Sequence, residues 1–154
     1  MKKTIMIISV MLVLTGCSAE KYTPVINEDF KASAIYNTGD FSFSCDIEKA
    51  GNTVLITPSS TRAKGMVISC NGKEVIFKRN NLVKAFEIGE ISKRNPAVLL
   101  HQVFSSLESA DVKLIDNCFT YTGNCSLGEY VLKQAKDNSF VSLSFPQADI
   151  EIDF

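Results

Sequence analysis

The sequence predicts an α+β domain: a curved antiparallel β-sheet, a half-barrel of about nine strands in meander order, with one principal amphipathic helix packed on its concave face. Three observations predict it. Apolar and polar residues alternate with period two over many short runs. Gly, Pro and Asn punctuate those runs at short intervals, which favours antiparallel strands joined by turns. Near residue 100 the pattern changes to the period of an α-helix.

The strands follow in order. Residues 30–36 form a first run, ended by a turn at Asn37-Thr38-Gly39-Asp40. In the next, Phe41, Phe43, Cys45 and Ile47 alternate with Ser42, Ser44, Asp46 and Glu48, the pattern of a half-buried strand. Residues 53–57 are a third run. Met66, Ile68 and Cys70 then alternate with Val67 and Ser69. Asn71-Gly72 predicts a two-residue hairpin, since a type I′ turn needs positive φ at both positions. Residues 73–78 return, and 82–88 follow.

Asn95-Pro96 then marks a helix start, with Asn95 as N-cap and Pro96 in the first turn. At 100° per residue, Leu99, Leu100, Val103, Phe104, Leu107 and Ala110 fall within an arc of about 140°. The helix should run over 96–110 and lay that arc on the sheet or on a cavity beneath it. His101, Gln102, Ser105, Ser106, Glu108 and Ser109 lie opposite and are expected in solvent. Strands resume over 112–122, 128–136, 139–145 and 148–154. In the last, Ala148, Ile150, Ile152 and Phe154 face one way and Asp149, Glu151 and Asp153 the other. Acidic side chains there would protect a terminal edge strand from foreign pairing. One helix cannot cover so many strands laid flat. The sheet must curl around it, leaving a concavity that is open or filled.

Composition narrows the function classes. The chain has 154 residues, 45% hydrophobic and 21% charged, with a formal net charge of −1 and no Trp. It is too apolar for a disordered chain. It has no basic stripe for phosphates, so nucleic acid is not an expected partner.

The N-terminus addresses the chain. Met1-Lys2-Lys3 is a short positive start, followed by an apolar run from Ile5 to Leu14 broken by Ser9. This is the layout of an export signal, and its core falls short of the roughly 20 apolar residues of a membrane span. Leu14-Thr15-Gly16-Cys17 resembles the lipobox of bacterial lipoproteins. The resemblance implies cleavage between Gly16 and Cys17 and a diacylglyceryl group, with a possible N-acyl chain, on Cys17. Two or more chains anchor stably where one would be marginal. The expected organisation is a signal peptide over 1–16, a lipidated N-terminus and tether over 17–29, and a domain over 30–154. The expected location is the outer face of the bacterial cytoplasmic membrane. Cleavage would remove Lys2 and Lys3 and take the formal charge from −1 to about −3.

Candidate chemistry is sparse. His101 is the one histidine, placed opposite the apolar arc and read as a surface residue. No HExxH, CxxC, GxSxG, P-loop or GxGxxG occurs. Pairs such as Asp149 and Glu151 read as solvating charges. No catalytic residue, metal site or cofactor is therefore assigned beyond the lipid on Cys17. Besides Cys17 there are Cys45, Cys70, Cys118 and Cys125. Cys45 and Cys70 should be separated by the strand at 53–57, hence by about 9.6 Å, beyond the roughly 7 Å a disulfide tolerates. Turn residues at Gly123-Asn124 and Gly128 do not bring Cys118 opposite Cys125. Four free thiols are expected.

The layout over residues 30–154 resembles the LolA/LolB lipoprotein-carrier superfamily, and more narrowly the small LolA-like lipoproteins of Gram-positive bacteria. The likeness is carried by the hairpin Gly65-Met-Val-Ile-Ser-Cys-Asn-Gly72, the helix from Pro96 to Leu107, Phe119-Thr-Tyr-Thr-Gly123, Gly128-Glu-Tyr-Val-Leu132 and the closing segment from Phe145-Pro146 to Phe154. It implies a half-barrel without catalysis. Carriers of that family hold acyl chains in the concave face, whereas other members are protein-binding scaffolds of the envelope. Two functions follow. One is a non-catalytic interaction lipoprotein with an envelope protein as partner. The alternative is a carrier of a lipid, acyl chain or other apolar ligand. The bulky inward residues Phe41, Phe43, Phe77, Phe104 and Phe145 tilt the sequence toward a filled interior and the first.

Overall fold

The computed structural model describes residues 24–39 and 41–154. Eleven strands form one antiparallel sheet around one α-helix. The strands are β1 (Phe30–Thr38), β2 (Phe41–Ala50), β3 (Thr53–Pro58), β4 (Met66–Cys70), β5 (Glu74–Arg79) and β6 (Leu82–Glu87), then β7 (Asp111–Ile115), β8 (Cys118–Cys125), β9 (Gly128–Ala135), β10 (Phe140–Phe145) and β11 (Ile150–Asp153). The helix α1 (Pro96–Ser106) lies between β6 and β7 in the chain.

The spatial order is β6-β5-β4-β3-β2-β1-β11-β10-β9-β8-β7. Two meanders, β1–β6 and β7–β11, are thus joined where the first strand meets the last, with Ile35 opposite Asp153 and Thr38 opposite Ile150. The sheet must bend. Six strand spacings would place β3 and β8 about 29 Å apart if flat, while α1 is roughly 16 Å long and 10–12 Å thick. Yet α1 touches β3, β4 and β8. The result is an unclosed trough, with β6 and β7 as its two free edges.

Several expectations need correction. The run at 112–122 is two strands, not one. Asp116 and Asn117 take φ of 48° and 67° and turn β7 into β8, a conformation that Asn and Asp tolerate better than other side chains. Strand number therefore rises from about nine to eleven. Gly123-Asn124 lies inside β8, and the chain turns at Ser126-Leu127 instead. Gly123 is there because Tyr130 packs across it: a Cβ would sit 2.5 Å from the Tyr130 hydroxyl. At Asn71-Gly72 only Gly72 has positive φ, 87°. Asn71 instead folds its side chain over the turn, its Oδ1 accepting from the Lys73 and Glu74 amides at 3.0 Å each. The acidic last strand is no edge, because β11 is inserted between β1 and β10.

The interior follows the alternation. Cys45 and Ile47 on β2, Val54 and Ile56 on β3, Ile68 and Cys70 on β4, Tyr130, Leu132 and Gln134 on β9, and Ile150 and Ile152 on β11 are all buried. Phe41 departs from its expected inward place and is 54% exposed at the start of β2, its ring lying 5.7 Å from that of Phe43.

Candidate functional site

The concave face holds the helix, so α1 decides what the trough can accept. Asn95 caps it, its Oδ1 accepting from the amides of Ala97 (3.0 Å) and Val98 (3.4 Å). Pro96 sits in the first turn, where its missing N–H costs nothing. The α-helix stops at Ser106 and a 3-10 turn carries it through Leu107–Ser109, close to the expected end at 110. Leu99, Leu100, Val103, Phe104 and Leu107 are buried, together with Ala97 and Val98. Burying one leucine of this kind is worth about 1.5–3 kcal/mol.

Aromatic rings fill the trough below the helix. The ring of Phe30 lies 5.0 Å from Phe104 and 4.9 Å from Phe140. Phe140 continues the chain of contacts to Phe154 at 5.6 Å. Edge-on and tilted packing of this kind adds attraction beyond the area buried. Tyr121, Tyr130, Phe145, Leu99, Leu100, Leu132 and Leu143 are each almost wholly removed from solvent. Polar ends are tied off. Ser106 donates to the Val103 carbonyl (2.9 Å), which leaves the Tyr130 hydroxyl to donate to Ser106 Oγ (2.8 Å). The Tyr121 hydroxyl donates to Gln134 Oε1 at 2.7 Å, and Gln134 Nε2 donates to the carbonyls of Val25 (2.9 Å) and Asn138 (3.1 Å).

Open grooves border this interior, and one of about 500 Å³ is lined by the half-buried rings of Phe30, Phe140 and Phe154 themselves. A second, of about 560 Å³, runs beside the end of the helix between Ile26, Lys49, Asn52, Phe104 and Glu108. Another, of about 580 Å³, lies on the outer face of the sheet over Leu55 and Val67, rimmed by Lys31, Asp46 and Glu48. Lys31 and Glu48 pair there at 3.0 Å.

His101 is not the solvated residue expected from its helical position. The β2–β3 and β4–β5 turns fold over that flank of α1. The imidazole lies against Gly72, where a Cβ would meet Cε1 at 2.6 Å, and Nε2 is buried with no hydrogen-bond partner. Burial holds its pKa below the ordinary value, a hydrogen bond to the Asn52 backbone opposes that, and the Lys49 charge adds to the lowering. A helical wheel could not show this, because the covering groups come from turns distant in sequence. Gln134 was also missed: an amide within a strand run gives no sign of its burial or of its three partners.

Cys45, Cys70, Cys118 and Cys125 are free thiols. β3 separates the first two, with Pro58 opposite Cys45 and Val54 opposite Cys70. Burial, aided by the Asp46 charge, pushes the Cys45 thiol up to about 11, and burial also raises Cys70. Cys118 and Cys125 sit at opposite ends of β8. Among the described residues no group of three His, Cys, Asp or Glu side chains could hold a metal ion. Gly16 and Cys17 lie outside the described residues. Of the expected tether, residues 24–29 are hydrogen-bonded to the domain: the Lys49 ammonium donates to the Glu28 carbonyl (2.6 Å), and the Gly51 amide to Asp29 (2.6 Å).

Residues 1–18 match the family model of the prokaryotic membrane lipoprotein lipid attachment site. The chain is thereby a lipid-anchored membrane lipoprotein. Among the described residues no helix is long and apolar enough to cross a membrane. No curated protein matches the sequence. Among solved structures the chain is similar to a LolA superfamily protein from Nitrosomonas europaea, with 11% identity and a TM-score of 0.43. The match covers 78% of this chain and 64% of that one.

Proposed function

We propose that this chain is a non-catalytic binding protein of the cell envelope, acylated on Cys17 after cleavage behind Gly16. It is held at the outer face of the cytoplasmic membrane, and it engages a protein partner through its outer surface. The observation that carries this reading is the filled trough. α1 and the rings of Phe30, Phe104 and Phe140 pack together on the concave face. An acyl chain seated beneath α1 would displace the helix, at the cost of several buried aliphatic side chains. Recognition without bond-making suits the described surface, where the one imidazole is half-buried and its Nε2 has no partner.

The test is native mass spectrometry of protein extracted from membranes in mild detergent. The expected species carries the covalent diacylglyceryl mass on Cys17 and no further lipid, and Cys17→Ala leaves the membrane fraction. A lipid bound noncovalently in a one-to-one ratio would transfer the assignment to the carrier alternative.

A further inference from the structure

We infer that the end of the sheet bearing the β7–β8 turn rests on the bilayer, with Leu114 and Ile115 pressed into its interfacial region. This rests on Cys17 carrying the anchor.

The point where the chain joins the domain is fixed by hydrogen bonds. The Val25 amide donates to Asn138 Oδ1 (3.4 Å), and the Val25 carbonyl accepts from Gln134 (2.9 Å). Asn138 belongs to the β9–β10 turn. The register places that turn beside β7–β8, since Ala135 faces Cys118 and Cys118 faces Ile115. Val25, Asn138, Leu114 and Ile115 therefore share one end. Phe41 and Leu82, next to the β1–β2 and β5–β6 turns, mark the other.

Chain length then orients the molecule. Eight residue steps separate Cys17 from Val25, a reach of about 28 Å even when fully stretched. Turning the domain over would lift Val25 by about 25 Å, the length of a strand such as β2 corrected for the tilt of a curled sheet. Only a nearly fully stretched leash reaches that height, whereas its relaxed span is about 16 Å, so the Val25 end is the one held nearest the bilayer. With the Val25 end down, three exposed apolar side chains meet the lipid: Val25 (52%), Leu114 (55%) and Ile115 (48%). Asp116 and Asn117 occupy the same turn, and Lys113 pairs with Asp111 at 3.2 Å. Such a mixed rim suits the headgroup layer, not the hydrocarbon centre.

The chain has no Trp, so one introduced residue reports alone. Full-length lipidated L114W and L82W are reconstituted into phosphatidylglycerol–phosphatidylethanolamine vesicles with brominated acyl chains. Both positions are exposed, so both substitutions are tolerated. The expected result is at least a twofold loss of emission for L114W and none for L82W, with I115W following L114W. Equal quenching at both ends, or none at 114 and 115, overturns the orientation. Mass analysis of the same samples separates the causes. A missing diacylglyceryl group removes the anchoring reading and this one together, whereas an intact anchor with unquenched emission from L114W removes the orientation alone.

Discussion

His101 is a titratable side chain that folding drives toward its neutral form. Its neutral form is favoured in the folded protein because burial disfavours the imidazolium. The unfolded chain takes up a proton near the reference pKa of about 6.5, before the folded one does. Stability is therefore fully present above that value and is lost as pH falls through it toward the lower folded pKa. Urea midpoints should drop between pH 7 and pH 5, and His101→Leu should flatten that drop. An unchanged slope in the variant would assign it to carboxylates. At this scale the sequence was readable where chemistry is local. Asn95 announced a cap and Gly72 a turn. It was unreadable where a neighbour arrives from afar, as when Tyr130 demands a glycine at 123.

Among the elements, α1 was the most legible. Its apolar arc has the helical period, and its start carries both Asn and Pro. Asn95→Ala should cost about 1 kcal/mol in chemical denaturation, through loss of the bonds to the Ala97 and Val98 amides, while Asn95→Ser should recover most of it. A loss below a few tenths would mean that packing against β3, β4 and β8 alone holds the first turn. The β7–β8 hairpin was the least legible. Its turn residues, Asp116 and Asn117, carry no glycine, and the flanking run from Val112 to Tyr121 reads without interruption as one strand. Positive φ at an Asp-Asn pair is allowed but weakly encoded, so the break is decided by pairing with β9.

Across the whole molecule, the trough divides the thiols into two classes. Cys45 and Cys70 face the interior, whereas Cys118 and Cys125 are partly exposed. With its pKa pushed to about 11, Cys45 presents little thiolate at neutral pH. A thiol reagent should label 118 and 125 at least about tenfold faster than 45 and 70 in native protein. All four should react after denaturation without reductant. Fewer than four would reveal a disulfide that the strand order forbids for Cys45 and Cys70. The sheet's curvature was foreseeable from arithmetic, because one helix must serve many strands. The strand order was not. The residues that seat β11 in the middle are the same alternating Ile and acidic side chains that would suit an edge, and only pairing with β1 distinguishes them.

That central junction has a consequence for how the polypeptide comes into being. Tyr36 is bonded beside Ile152, so its neighbour is supplied more than a hundred positions later. Distant pairing of this kind slows folding, because a long loop must close before any reward arrives. A chain threaded outward from its N-terminal side would carry two half-sheets with raw borders until residues 150–153 emerged. Shortening by only the final four residues would leave those borders open for good, and clumping, not mere loss of affinity, would be the outcome.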